Sequence, residues 1–414
     1  MRTRKRTESG ISSSEGGIGR LPASGAVVTV LLTAAMAFSM MQLFLIGALG
    51  PRLVDELDIS RTELGLTTTV GFGIAALLSP VAGGLVDRVG PRRCLVALFL
   101  LVAVSLTLIG AAPGTAVLLS AVGLGGLPQA LANPATNKVI LAVVPSGRRG
   151  GVTGWKQSGV QFGAFAAGFP LSVLAAVVGW REAVWTAAGL AGVAAAWSIG
   201  VLPPDRASVA APHDAERPAV RPRGVVGRLA LYSLLLGCGI ASVNTYLALF
   251  GSQRVGLSPT VAAVLVAVLG IAGIGGRVVW SRAAGRPGRG EVLPAVLAAG
   301  AVGAALTLFV AVRVPVLVWV AAVAVGSFAV AANAVSMVLV IRQAAPGRAG
   351  RDSALVSAGF FAGFAVGPPL FGVLVSAAGY GPGWLLVAAE FAVAVAVAAP
   401  MGLGSARVPE RART

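Results

Sequence analysis

Twelve apolar stretches recur along this chain, at 25–49, 64–86, 94–111, 115–141, 151–176, 184–202, 229–250, 259–281, 292–312, 315–341, 354–376 and 383–403. Most approach the roughly 20 residues that a membrane-spanning helix needs. Inside a bilayer the backbone must satisfy its own hydrogen bonds, so spans of this length are expected to be helices. Composition agrees, with 56% of residues hydrophobic and 11% charged, against about 25% charged in a soluble domain. A net charge of +17 would suggest a nucleic-acid partner in a soluble protein. Here the basic residues lie in short runs between apolar stretches, which points to topology and makes the lipid bilayer the expected partner.

With the N-terminus inside, alternate connections place 24 of the 32 Lys and Arg residues on the cytoplasmic side. Five (Arg52, Arg61, Arg181, Arg254, Arg313) fall on the periplasmic side and three (Lys138, Lys156, Arg277) within spans. This is the positive-inside bias, and all seven tryptophans fall near predicted helix ends, where an interfacial belt would sit. The basic start (Arg2, Arg4, Lys5, Arg6) resembles a signal peptide. The apolar stretch behind it exceeds the roughly 7–15 residues of a signal core, so it reads as an uncleaved first helix. The expected organisation is a cytoplasmic tail over 1–24, a six-helix half over 25–202, a proline-rich charged linker over 203–228, a second six-helix half over 229–403 and a tail over 404–414. The protein is expected to be multi-pass in the cytoplasmic (inner) membrane, with both termini cytoplasmic.

The halves resemble each other at an offset of 200 residues. Gly126, Asn133, Gly147, Arg148, Gly159, Gly163 and Gly179 match Gly326, Asn333, Gly347, Arg348, Gly359, Gly363 and Gly379. Between the second and third stretches runs Gly83-Gly84-Leu85-Val86-Asp87-Arg88-Val89-Gly90-Pro91-Arg92-Arg93. The spacing G-x-L-x-D-R-x-G followed by basic residues resembles the signature loop of the major facilitator superfamily of secondary transporters. The resemblance implies an all-α integral membrane fold of twelve transmembrane helices in two six-helix halves, with the substrate near the midplane where the halves meet. It departs from the family at Pro91, where a basic residue is usual. The second-half copy, Gly275-Gly276-Arg277 through Arg282, has no acid at the position of Asp87. The resemblance makes Gly83, Asp87, Arg88, Gly90 and Arg92 a gating loop. Asp87 is its latch, expected to pair with Arg88 or Arg92 or to face the N-terminus of a neighbouring helix such as the eleventh.

Candidate substrate contacts follow from polar residues inside spans. Gln129, Asn133 and Asn137 are four residues apart on one helical face, a stripe too costly to present to lipid. The resemblance places helices 1, 4, 7 and 10 around the cavity and so adds Gln42, Asn244, Tyr246 and Asn333. Lys156 and Gln157 open the fifth span, where contact with an anion and snorkelling to the headgroups are equal readings for the ammonium. Lys138 and Arg277 lie nearer span ends and read as snorkelling. Glu390 is the carboxylate well inside a span and is a proton-site candidate, although the twelfth helix is peripheral in the fold that the resemblance implies. Gly159 and Gly163, and Gly359, Gly363 and Gly367, form small-residue faces for close helix packing.

No acid lies on the helices expected to line the cavity, which leans away from cationic cargo and toward a small anionic or neutral solute, with a proton as candidate coupling ion. The run from Leu49-Gly50-Pro51 to Leu64-Gly65 and the loop after it also resemble cyanate-type small-anion permeases. Proton-coupled efflux of drugs or hydrophobic metabolites is an open alternative. A membrane-embedded enzyme is another, and would have to use Asp55, Glu56, Asp58 and Glu63, which show no metal-ligand spacing. His213 is the single histidine, in the linker, and Cys94 and Cys238 lie in different halves. No metal, disulfide or cofactor is therefore expected. No phosphate-binding glycine loop is present either, so a gradient rather than ATP is the expected energy source.

Overall fold

The computed structural model describes residues 25–145, 148–205, 224–284, 292–343 and 349–405. The tails expected over 1–24 and 404–414 (apart from residues 404 and 405), linker residues 206–223 with His213, and the repeat positions Gly147, Gly347 and Arg348 lie outside them.

The first span is α1 (Gly25–Ser39) and α2 (Met41–Ala48), bent by 51° between them. A short α3 (Gly50–Leu57) follows, then α4 (Arg61–Val89), α5 (Pro91–Gly110) and α6 (Thr115–Val143). The fifth span is α7 (Arg149–Ala166), a π-helical turn (Ala167–Leu171) and α8 (Ser172–Val177), and α9 (Trp180–Val201) is the sixth. The second set is α10 (Gly224–Gln253), α11 (Pro259–Ala284) and α12 (Leu293–Ala311). It continues as α13 (Leu317–Ala324), a π turn (Val325–Val330), α14 (Ala331–Gln343), α15 (Ala349–Ala378) and α16 (Tyr380–Ser405). Among the described residues eleven spans are long and apolar enough to cross a membrane, and the bent α1–α2 pair makes a twelfth. The expected all-α fold of two six-helix halves is observed.

The repeat has a packing meaning. A Cβ on Gly159 of α7 would strike the Thr33 carbonyl of α1, and one on Gly359 of α15 would strike the Ala230 carbonyl of α10. The same small-residue contact therefore joins spans 1 and 5 in one half and spans 7 and 11 in the other. Gly179 and Gly379 hold φ of 111° and 85° at the entries to α9 and α16, a left-handed backbone that glycine adopts without steric penalty.

All spans end at one of two faces. The termini face carries the start of α1 and the end of α16, and the opposite face carries the α8–α9 and α10–α11 connections. The halves are joined from the opposite face to mid-depth. Arg52 donates to the Thr260 hydroxyl at 3.2 Å, and Arg61 donates to Gln253 at 3.1 Å and lies over the Tyr380 ring. The Tyr246 hydroxyl donates to the Arg61 carbonyl. Deeper in, Thr68 and Thr245 share a bond of 3.1 Å and Thr69 donates to the Ala365 carbonyl at 2.6 Å. Phe72 then packs on Phe361 and Phe364, with centroids 5.8 and 4.6 Å away.

Toward the termini face these seams part among the described residues. The stripe of α4 that meets α15 at Gly65, Thr69 and Phe72 continues at helical spacing to Gly83 and Asp87. Among the described residues a Cβ on Gly83 would meet nothing within 4 Å, and the Asp87 side chain is 63% exposed. On the other seam Gly168 and Gln161 touch α11, whereas Gly154 meets nothing within 4 Å.

The connection from Arg52 to Glu63, which carries the four acids, is built into the fold. Its stretch Gly50–Leu57 is helical, and Asp58 ends it at φ 50°. Glu56 accepts from the Trp180 indole at 2.6 Å. Glu63 closes a capping box with Ser60 and accepts from the Thr115 hydroxyl at 3.0 Å. Among the described residues no group of three His, Cys, Asp or Glu could hold a metal ion.

Candidate functional site

At mid-depth, where the closed part of the seam ends, α6, α7, α10 and α11 bring together a set of amides and two cations. Lys156 is fully buried. Its ammonium donates to Asn137 Oδ1 at 2.7 Å and to Asn133 Oδ1 at 3.2 Å. The side chain turns inward to α6 rather than snorkelling, and amide oxygens stand around the charge. Gln157 Nε2 shares Asn133 Oδ1 at 3.3 Å, so the fourth and fifth spans are tied by one amide.

From the other half Arg277 reaches across the seam and donates through Nη1 to the Gln157 carbonyl at 3.1 Å. The expectation of snorkelling for Arg277 is corrected, because α11 packs its Gly270 and Gly273 against Gln161 of α7 and draws the guanidinium inward. Arg277, Gln161 and Asn244 line a cavity of about 30 Å³ with Met40, Phe44 and Phe364. Arg277 Nε, Gln161 Oε1 and Asn244 Oδ1 are buried without a protein partner, as are both polar atoms of Gln129 and Asn333 Oδ1. The single ion pair among the described residues is elsewhere, between Lys138 and Asp87. The two cations of the site are thus held by neutral oxygens alone.

Three sequence candidates lie away from this group. Gln42 is buried inside the first half, donating to the Val122 carbonyl at 3.4 Å and accepting from Ser105 at 3.3 Å. Tyr246 stacks on Phe371, centroids 4.7 Å apart, and seals the seam toward the opposite face. Glu390 leaves Oε2 without a partner on α16, where its neighbour Phe391 lies against Gly239 of α10, outside the central seam.

The loop after α4 is ordered differently from expectation. Asp87 accepts from Lys138 Nζ at 2.7 Å, not from Arg88 or Arg92, because α4 and α6 pack side by side and Lys138 also reaches the Val86 carbonyl at 3.3 Å. Lys138, 32% exposed, thus extends toward the termini face to reach its carboxylate. Arg92 donates to the Ile199 carbonyl at 2.6 Å. Gly90, at φ 99°, makes the turn into α5. There Asp205 receives the Arg92 and Arg93 backbone N–H groups at 3.0 and 2.9 Å, and a Cβ on Gly90 would strike its carboxylate. In the sequence Asp205 is only one charge of the linker, and no local pattern marks it as a cap.

A family model described as Major Facilitator Superfamily matches residues 31–350. No curated protein matches the sequence. Among solved structures the chain is similar to a bacterial homolog of the human lysosomal transporter Spinster in an inward-facing and occupied conformation, at 15% identity and TM-score 0.70 over 94% of this chain and 98% of that one. It is also similar to a mutant of the nucleoside transporter NupG, at 13% identity and TM-score 0.70 over 90% of this chain and 99% of that one. These likenesses concern the fold, and the family match extends over most of the chain: it belongs to the Major Facilitator Superfamily.

Proposed function

We propose that this protein carries a small anionic or neutral solute across the cytoplasmic membrane by alternating access, with both termini in the cytoplasm. The observation that carries the reading is the pair Lys156 and Arg277, one cation buried inside the first half and one reaching across the seam to it, whose partners are amide and carbonyl oxygens. A cation inside a bilayer costs a few kcal/mol, and such residues mark solute pathways. With no carboxylate beside them they repel cationic cargo and favour an anion or a neutral polar solute.

The seam supports the alternating part of the reading. Among the described residues it is closed from the opposite face to Phe72 and parted beyond, which with the termini cytoplasmic supports an inward-open reading. The positive-inside bias supports that orientation. In this state Asp87 ties α4 to α6 within one half. The loop resemblance gives it the task of holding the cytoplasmic side shut, so closure would carry Asp87 toward the start of α15. Glu390 is retained as the candidate site for a coupling proton.

Counterflow in proteoliposomes tests the proposal, with panels of small anions, neutral metabolites and cationic dyes, with and without a pH gradient. Saturable flux of an anion or neutral metabolite, reduced in Lys156→Ala, is expected. Flux confined to cationic or hydrophobic compounds would transfer the protein to the efflux reading.

A further inference from the structure

Three residues that line the cavity carry buried polar atoms without protein partners, and these differ in kind: Arg277 Nε is a charged donor, while Gln161 Oε1 and Asn244 Oδ1 are acceptors. The orientation of Asn244 follows from its other bond. Its Nδ2 donates to the Ile240 carbonyl at 2.9 Å, which only the amide nitrogen can do, so Oδ1 is left as an acceptor. Orphaned buried groups of this kind are expensive and mark places where a ligand or water completes the set.

The remaining wall is apolar, with Met40, Phe44, Ile240, Val330, Phe360 and Phe364. A hydrated inorganic ion would have to surrender its water to these side chains, which return nothing for it. A zwitterionic amino acid would bring an ammonium to a site that already holds a guanidinium and has no carboxylate on its wall. What satisfies a charged donor, fixed acceptors and apolar walls together is an organic anion with an oxygen for Arg277, a hydroxyl for Asn244 or Gln161, and a short hydrocarbon body. Resting on the transport reading above, we infer that the solute is a small hydroxy-carboxylate and that Arg277, Gln161 and Asn244 bind it.

The seam gives this site a consequence. Arg277 belongs to the second half and already spends Nη1 on the Gln157 carbonyl of the first. An anion seated at Nε would therefore sit on a contact that joins the halves. The present cavity of about 30 Å³ admits a group the size of a water molecule. A four-carbon acid enters only as Met40 and the phenylalanines turn aside.

The test uses the full-length protein in lipid nanodiscs, with 2-hydroxybutyrate, butyrate and nitrate as probes and thermal unfolding as the binding readout. The wild type is expected to be stabilised in the order 2-hydroxybutyrate, butyrate, nitrate. Arg277→Gln should weaken the carboxylates about tenfold or more, the size of one lost charge-assisted hydrogen bond. Asn244→Ala should make 2-hydroxybutyrate and butyrate bind alike. If Arg277→Gln does not fold, Arg277→Lys and Asn244→Ala carry the comparison. In Arg277→Lys a point charge replaces the guanidinium fork, and several-fold weaker carboxylate binding is expected. Wild-type-like carboxylate binding in both folded variants would overturn the inference, as would a wild type that ignores carboxylates. Counterflow of another neutral or anionic solute in that last case would leave the transport reading standing while this one falls.

Discussion

Lys156 keeps a charge inside the first six helices because Asn133 and Asn137 supply oxygens to it, one of them at 2.7 Å. Asn137→Ala removes that acceptor, and a stability loss of about 1–3 kcal/mol is expected from the uncompensated ammonium. Thermal unfolding in nanodiscs measures it, and an unchanged midpoint would mean that the Asn137 contact adds nothing to the fold. Asp87 is the opposite case, since its side chain is 63% exposed where it meets Lys138. Asp87→Asn should alter stability by less than about 1 kcal/mol yet slow transport. Wild-type kinetics in that variant would remove Asp87 from the gate. The types and spacings of these residues are legible in the sequence, but their partners are not. Lys138 and Arg277 look alike near span ends, and only the packing of α4 on α6 and of α11 on α7 sends one to a carboxylate and the other to a carbonyl.

Among the helices, the entry to α5 depends on a residue more than a hundred positions away. Asp205 caps its first N–H groups as a side-chain acceptor does at any helix start. Asp205→Ala is expected to cost about 0.5–2 kcal/mol, and chemical denaturation would show whether the loss appears. On α15, Gly363 lies where a Cβ would strike the Leu234 carbonyl of α10. Gly363→Val should force spans 7 and 11 apart and destabilise by about 1–3 kcal/mol. A stable variant would show that this close approach is dispensable. The twelve spans are legible because hydropathy and length decide them. The bend between α1 and α2 is not: Gly47 of α2 meets the Asn244 carbonyl of α10, a contact no local pattern announces.

Across the whole molecule the repeat, the signature loop and the basic connections are enough to anticipate two six-helix halves. The 200-residue register survives in matching contacts, Gly159 on α1 and Gly359 on α10. What the chain does not announce is its conformation, because a transporter's sequence encodes at least two packings of one seam. Nor does it separate Gln42 and Tyr246, which serve packing and the seal, from Asn244, which faces the cavity. All three are polar residues on helices that the resemblance places around the centre.

Cysteine accessibility reads out whether the seam opens alternately on its two faces. In a background with Cys94 and Cys238 replaced by serine, Gly83→Cys lies on the parted seam and Thr68→Cys on the closed one. A maleimide is expected to label Gly83→Cys and spare Thr68→Cys in the absence of solute, and a transported solute is expected to lower the first rate while raising the second. Rates that stay fixed at both positions while solute is being transported would contradict alternating access through this seam.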